Sequence, residues 1–172
     1  MITLASFPIR YEELSDLYEH TDQSFCLNHV AVPLDEDTTR GYFMMVRTGN
    51  NNGMPFAVKG IYLDKKLIGK IERTVYEDGS AEIDLIIRKE YCGKGYGTEA
   101  LRQFIALPET KAECMSFCAY IDSDNLPAAG VLEKNGFEAK RKFQADVVTP
   151  QKDTYTLRTA EGTEYIRKGD TE

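Results

Sequence analysis

The 172-residue sequence has few of the residues that build metal centres and disulfide frameworks. It contains two histidines and four cysteines, and the cysteines form neither a CxxC pair nor the dense pattern of small secreted domains. No apolar run approaches the roughly 18 residues that a membrane span needs, and the N-terminal stretch lacks a signal peptide's basic and long apolar regions. These absences predict a cytoplasmic protein with free thiols, no metal site and no membrane anchor.

Basic residues are also fewer than acidic residues. The 21 Lys and Arg residues against 28 Asp and Glu residues give a formal net charge of −7. This balance argues against non-specific binding to nucleic acid and fits a cationic small molecule or a basic peptide better. The length and a hydrophobic content of 42% predict one globular domain over residues 1–172. We expect it to be a monomer or a homodimer.

Hydrophobic periodicity predicts a mixed α/β fold around a mostly antiparallel sheet. The first half is predicted as a strand at residues 1–7, helices at 11–21 and 35–49, and an antiparallel meander of strands at 56–63, 66–75 and 81–87. The second half is predicted as a helix that ends before Pro108, a strand at 114–121, a short helix closed by Gly136, and final strands at 137–147, 155–158 and 165–167.

A glycine-rich stretch, EYCGKGYGTEAL at residues 90–101, follows the meander and opens a helix. Glycines in this place let backbone N–H groups approach an anion at the positive end of the helix dipole. The phosphate loop of nucleoside triphosphatases is excluded, because no Gly-Lys-Ser/Thr occurs. A dinucleotide fingerprint is matched by Gly95, Gly97 and Ala100, with Asp122 after the next strand. It stays an alternative, although the preceding strands look like a meander rather than βαβ units.

The glycine loop and a second motif together resemble the GCN5-related N-acetyltransferase (GNAT) family. The second motif, NLPAAGVLEKNGF at residues 125–137, is an Asn followed by a short helix that ends in EKNGF. The two motifs occur in the family's order, and VLEKNGFEAK looks most like the branch of ribosomal-protein alanine acetyltransferases. The resemblance implies a twisted, mostly antiparallel sheet of about seven strands flanked by about four helices, with acetyl-CoA as co-substrate.

The resemblance assigns a set of residues to acetyl-CoA. The loop backbone would hold the pyrophosphate, the main chain at the end of the preceding strand would pair with the pantetheine arm, and an Asn and a Lys of the second motif would assist. These residues are Leu85, Ile86, Ile87, Gly93, Lys94, Gly95, Tyr96, Gly97, Thr98, Asn125 and Lys134. The sequence departs from the family at two positions. The loop's usual leading Gln or Arg is Cys92, and the tyrosine that protonates the leaving thiolate in many members is Leu132.

Glu82 and Asp84 are the candidates for the general base. They lie two residues apart, and so on one face of a strand, where paired carboxylates would attract an ammonium and accept its proton. Glu82 is preferred because related sequences often carry Glu there. The predicted function is direct transfer of acetyl to a primary amine of a small molecule or a peptide N-terminus. A non-catalytic acyl-CoA-binding protein and a nicotinamide dinucleotide-binding oxidoreductase are the alternatives.

Overall fold

The computed structural model describes residues 1–7, 10–22, 37, 40–42, 44, 56–151 and 154–169, with the backbone alone at 148–151 and 154–156. The helix predicted at residues 35–49 therefore lies mostly outside the described residues. Its described members, Asp37, residues 40–42 and Met44, are helical. The first predicted strand and helix are both confirmed, because residues 2–6 form a strand and residues 11–19 form a helix.

The described part of the chain contains seven strands and four α-helices with complete bounds, besides the helical residues between 37 and 44. The strands are β1 (Ile2–Ser6), β2 (Phe56–Leu63), β3 (Lys66–Val75), β4 (Ser80–Ile87), β5 (Ser116–Asp122), β6 (Glu138–Gln151) and β7 (Thr154–Lys168). The helices are α1 (Tyr11–Glu19), α2 (Tyr96–Ile105), α3 (Pro108–Glu113) and α4 (Leu126–Glu133), and a 3-10 turn spans Lys89–Tyr91. None of the described helices is long and apolar enough to cross a lipid bilayer. The predicted mixed α/β class is confirmed.

The strands form one sheet in the order β1-β2-β3-β4-β5-β7-β6, and β4 with β5 is its one parallel pair. That pairing covers three residues, from Ser80 opposite Ser116 to Glu82 opposite Cys118. Beyond Glu82 both strands continue without pairing to each other, so they diverge. Among the described residues, therefore, no strand covers the β5-side edge of residues 83–87 of β4.

One prediction for the second half is wrong in detail, and one short helix was not predicted. Residues 155–158 and 165–167 belong to one continuous strand, β7, whereas Glu161 and Gly162 between them suggest a turn. A Cβ at Gly162 would meet the ring of Phe143 at 2.3 Å, so this glycine makes room for a cross-strand aromatic side chain. Pro108, predicted to stop a helix, also begins the next one, α3, because proline suits the first helical position.

Hydrophobic clusters cover both faces of the sheet. One packs α2 and α4 on the sheet and includes Ile71, Ala81, Ile83, Leu101, Phe104, Phe117 and Leu132. The other lies under α1 and consists of Phe7, Leu14, Leu17, Tyr18, Tyr42, Val58 and Leu67. Alternate residues at the end of β4 contribute to the two clusters, as the pleat of a strand requires: Leu85 and Ile87 belong to the first, and Ile86 to the second. We call the surface of the sheet that faces the second cluster the α1 face.

Arg88 joins α1 to the end of β4. Its side chain is 5% exposed, its Nε donates to the carbonyl of Leu67 at 2.9 Å, and its guanidinium pairs with Asp16 of α1. The backbone adds a bridge between Thr21 and Arg88. The chain is thus held firmly at the point where it leaves β4 and enters the glycine loop.

Gly69 of β3 lies against the uncovered part of β4. A Cβ at Gly69 would lie 2.4 Å from the carbonyl oxygen of Ile86, which cannot rotate away. We expect Gly69→Ala to lower the free energy of unfolding by about 1–3 kcal/mol. In the control Gly130→Ala, the new Cβ meets no atom within 4 Å, so no loss is expected. Chemical denaturation measures both variants, and equal stability of Gly69→Ala and the parent would contradict this packing.

Candidate active site

The glycine loop turns the chain from β4 into α2 through left-handed backbone. Gly93 and Gly95 have φ angles of +73° and +82°, which cost a residue with a side chain about 1–2 kcal/mol. A Cβ at either position would meet no protein atom within 4 Å. The backbone conformation, rather than a lack of space, therefore requires glycine at both positions.

The loop presents unpaired backbone donors at the start of α2. Within the described ranges no group accepts a hydrogen bond from the N–H groups of residues 93–98, and no side chain caps this helix. The first bonded N–H is that of Glu99, which donates to the carbonyl of Gly95 at 3.1 Å. A row of free N–H groups at the positive end of a helix dipole is a natural site for a phosphate group. The predicted pyrophosphate therefore fits this loop.

Gly97 differs from the two glycines before it. It lies inside α2, and a Cβ there would contact Leu85 and Val131 at 3.5 Å, an ordinary van der Waals distance. The residue brings α2 close to β4 and α4. An alanine at this position fits the structure, whereas Gly93 and Gly95 are constrained by their φ angles.

The second motif holds α4 against the loop. The side-chain oxygen of Asn125 caps α4 by accepting a hydrogen bond from the N–H of Ala128 at 3.2 Å, which leaves the amide group of Asn125 for a ligand. Asn135, which sequence reasoning missed, donates to the carbonyls of Val131 at 2.8 Å and Thr98 at 3.2 Å. The end of α4 is thereby bonded to the first turn of α2. An Asn directly before the closing glycine is the signal that could have indicated this contact.

The surroundings of three further motif positions, Lys134, Leu132 and Cys92, bear on the roles that each side chain can have. Lys134 is exposed beside Asn135, one residue from the contact with α2. Leu132 is 5% exposed within the core, so this position faces packed side chains. Desolvation raises the pKa of the Cys92 thiol, and the nearby carboxylates Asp22 and Glu90 raise it further. Cys92 is therefore a protonated thiol at neutral pH.

The residues predicted to pair with pantetheine lie on the uncovered part of β4. Leu85 and Ile87 pack on the α2 side of the sheet, and Ile86 packs against the cluster under α1. In the part of the chain that the structure describes, no strand pairs with this segment on the β5 side. Its edge therefore runs from the loop towards the last paired residue, Glu82.

Glu82 and Asp84 occupy the α1 face of β4. The register with β3 is continuous and puts Thr74 opposite Glu82 and Glu72 opposite Asp84, so no bulge separates the two carboxylates. The hydroxyl of Tyr76 donates a hydrogen bond to Glu82. Glu82 is also the residue at which β4 and β5 part. The pair thus lies beside the mouth of the gap between the two strands.

A buried lysine lies next to this pair. Lys70 is 1% exposed, and its Nζ donates to Glu72 at 2.7 Å and lies 4.7 Å from the ring centre of Tyr42 and 6.0 Å from that of Tyr18. The hydroxyl of Tyr42 also donates to Glu72. The sequence did not indicate this cluster, because Lys and Glu on alternate strand positions normally face solvent.

Asp84 is the carboxyl group that burial affects most clearly. Desolvation raises the pKa of Asp84 to about 6, the positive charge of Lys70 opposes the rise, and the negative charge of Glu72 adds to it. Its carboxyl therefore changes charge near neutral pH, which is where a general base works best. Desolvation likewise raises the pKa of Cys118, the β5 partner of Glu82, to about 11, so its thiol stays protonated.

The dinucleotide interpretation of the glycine loop is wrong. The loop follows an antiparallel meander, whereas a dinucleotide site needs parallel βαβ units. Asp122, the residue expected to bind a ribose, is 6% exposed. Its carboxylate accepts hydrogen bonds from the N–H of Asp124 at 2.9 Å and from Arg158 at 3.3 Å.

Comparisons with solved structures give the same fold. RimL, a ribosomal L7/L12 alpha-N-protein acetyltransferase in complex with coenzyme A, has 13% identity and a TM-score of 0.76 over 99% of this chain and 96% of its own. An acetyl transferase from Salmonella typhimurium that modifies the N-terminal serine of L7/L12 has 14% identity and a TM-score of 0.77 over 98% and 95%. MccE, a microcin C7 self-immunity acetyltransferase in complex with acetyl-CoA and AMP, has 16% identity and a TM-score of 0.74 over 97% and 92%.

Identities this low show a shared fold, and the family follows from a different comparison. No curated protein sequence matches the chain. The family model described as an acetyltransferase (GNAT) domain matches residues 7–138, well over half of the chain. The match includes both motifs, the diverging strands and the loop with its free N–H groups. The chain therefore belongs to the GNAT family of acetyltransferases, whose co-substrate is acetyl-CoA.

Proposed function

We propose that the protein transfers the acetyl group of acetyl-CoA directly to a primary amine. The divergence of β4 and β5 beside the unpaired N–H groups of the loop carries this proposal. The pyrophosphate would bind the N–H groups of residues 93–98, with the amide of Asn125 and the ammonium of Lys134 assisting. The pantetheine arm would lie along the free edge of residues 85–87. The thioester would then lie beside Glu82 and Asp84.

Positioning would supply much of the rate enhancement. Holding the thioester and the amine in attack geometry can contribute about 7–11 kcal/mol. A main-chain N–H of the free β4 edge would stabilise the oxyanion that forms as the amine attacks. The intermediate would collapse by expelling the CoA thiolate. Transfer without an acyl-enzyme is supported by the thiols of Cys92 and Cys118, which their raised pKa values keep protonated.

We assign different roles to the two carboxylates. Asp84 is the better general base, because burial brings its pKa to about 6 and so close to the working pH. Glu82, which accepts a hydrogen bond from Tyr76, would attract the ammonium form of the acceptor to the site. The sequence alone favoured Glu82 as the base, and the electrostatic environment of the pair favours Asp84.

The strength of this base bears on the acceptor. A base with a pKa of about 6 is about 2 units weaker than a peptide α-amine and over 4 units weaker than an alkyl amine such as lysine. The proton transfers are therefore uphill by about 3 and about 6 kcal/mol, respectively. Two solved relatives carry titles that name protein N-termini as their targets. A peptide N-terminus is thus the first acceptor to test, ahead of polyamines and other small-molecule amines.

A non-catalytic acyl-CoA-binding protein is the second candidate. The core position of Leu132, where many relatives place a tyrosine acid, favours it. The two candidates differ in thiol release. An acetyltransferase should liberate CoA from acetyl-CoA when given a panel of peptides, amino acids, amino sugars and polyamines. A sensor should bind acetyl-CoA in calorimetry and release no thiol with any of them.

Gly95→Ala tests the pyrophosphate site. The new Cβ would project where the phosphate approaches the backbone, and its strain would disturb the row of N–H groups. We expect the Kd for acetyl-CoA to rise at least about tenfold, or 1.4 kcal/mol. Gly79→Ala is the control for backbone strain, because Gly79 has a similar φ of +78° and lies in the turn between β3 and β4, where its new Cβ would meet the flexible side chain of Met115. A Gly95→Ala variant that folds and binds like the parent would contradict the assignment.

Asp84→Asn and Glu82→Gln separate the roles of the two carboxylates. If Asp84 is the base, kcat should rise with pH through about 6 in the parent, as that carboxyl loses its proton. Asp84→Asn should lower kcat by roughly 10²-fold and abolish this limb. Glu82→Gln should keep the limb and mainly raise KM for the amine. The reverse pattern in the pH–rate profiles would make Glu82 the base.

A further inference from the structure

Lys70 is a charged side chain where charge is costly. It is 1% exposed at the centre of the sheet, with Glu72 at 2.7 Å and two aromatic rings around its Nζ. Desolvation disfavours its charged form, yet the attraction of Glu72 and further neighbouring groups holds the pKa of Lys70 well above its usual value. The lysine is therefore a permanent positive charge that solvent does not reach.

Stability gives no sufficient reason for this arrangement. A buried ion pair is often replaced by apolar residues of similar volume without loss, because desolvating the two charges offsets their attraction. The Lys70–Glu72 pair also leaves the cluster unbalanced, since Asp84 adds a second carboxylate next to one ammonium. The charge of Lys70 therefore acts on Asp84 as well as on Glu72.

The sheet register brings Lys70 close to Asp84. Lys70 lies opposite Ile86, and Glu72 lies opposite Asp84, so Lys70 and Asp84 are diagonal neighbours across β3 and β4. Diagonal partners on one face are about 7–8 Å apart at their backbones, which a lysine side chain can span. Lys70 and Glu72 therefore act on Asp84 from the same strand and with opposite signs.

The other titratable groups around Asp84 within the described ranges are Glu82 on β4 and the phenols of Tyr18 and Tyr42 above the sheet. Desolvation raises the pKa of Tyr18 to about 12, and it raises that of Tyr42 well above its usual value. Both phenols are therefore neutral in the range where the enzyme would work. The charged side chains that influence the ionisation of Asp84 are thus Lys70, Glu72 and Glu82.

We propose that Lys70 is a positioning residue for amine deprotonation: from inside the sheet it keeps Asp84 ionised, and Glu72 limits the extent of this effect. The inference rests on the proposed function, because it gives Asp84 the role of base. The pH range of acetyl transfer is then set by a lysine that does not contact the acceptor. Glu72 and Tyr42 hold that lysine in place.

Variants of the ion pair test this proposal through opposite pH shifts. An opposite charge nearby lowers a carboxyl pKa, and a like charge raises it, by about 1 unit or more. Methionine is similar in length to lysine and carries no charge. Lys70→Met should therefore move the acid limb of the kcat–pH profile to higher pH by about 1 unit. Glu72→Gln should move it downward by about 1 pH unit. Carbon-13 NMR of the Asp84 carboxyl, assigned with Asp84→Asn, should report shifts in the same directions.

Two further variants keep the test decisive. Lys70→Met leaves the half-buried carboxylate of Glu72 without its ammonium partner and can fail to fold. The double variant Lys70→Met with Glu72→Gln removes both charges, and its limb should lie about 1 unit above that of Glu72→Gln alone. Lys66→Met, at the 56% exposed first residue of the same strand, is the control and should leave the limb in place.

The outcomes separate this inference from the proposed function. A double variant whose limb coincides with that of Glu72→Gln alone would overturn the role of Lys70, and an unmoved limb in Glu72→Gln would overturn the role of Glu72. An NMR shift without a limb shift would overturn it as well, because the ionisation of Asp84 would then not govern transfer. A parent that transfers acetyl to no amine would refute the proposed function, and the NMR titration would still decide whether Lys70 controls Asp84.

Discussion

The parallel pairing of β4 with β5 stops after three residues, and the candidate site depends on this fact. Two neighbouring strands that part leave main-chain groups without partners, which in a folded protein calls for another ligand. Gly97 allows α2 to pack closely against the separated end of β4. The same helix begins with the unpaired N–H groups of the loop. One local divergence therefore creates both an edge for an extended ligand and an anion site at its end.

The α1 face supplies the chemistry that such a cleft needs. Its charges lie in a layer of tyrosines and aliphatic side chains, where electrostatic interactions are stronger than in water. Desolvation by itself disfavours the ionised form of Asp84, the group proposed as the base, and the ammonium of Lys70 opposes that effect. The arrangement balances two opposing effects instead of maximising either of them.

Sequence patterns predicted the parts of this structure that depend on local order. The meander, the glycine loop and the short helix closed by Gly136 follow from periodicity and turn residues, and their bounds agree with the structure to within a few residues. The continuous course of β7 was missed because Gly162 signals a turn when Phe143, its cross-strand partner, is not known. Strand divergence could not be predicted at all from the residues, since pairing between β4 and β5 joins segments about 35 positions apart.

The site residues divide in the same way. The loop glycines and Asn125 carry a local signal, because a backbone conformation or a helix cap demands them. Lys70 carries none, since an alternating Lys and Glu in a strand looks like a solvated surface until α1 is packed over it. The relative merit of Glu82 and Asp84 as a base was equally out of reach, because it depends on how many neighbours exclude water from each carboxyl.

Arg88 connects α1, on one face of the sheet, to the turn that leads into the glycine loop. Its guanidinium pairs with α1, and its backbone leads directly into the turn before the glycine loop. A displacement of α1 by a bound acceptor would be passed to the cofactor loop through the Arg88–Asp16 pair and the backbone bridge between Thr21 and Arg88. Thermodynamic reciprocity then fixes the outcome: whatever factor the acceptor imposes on coenzyme affinity, the coenzyme imposes on the acceptor. An arginine that looks like a structural clamp would thereby couple the affinities of the proposed enzyme for its two substrates.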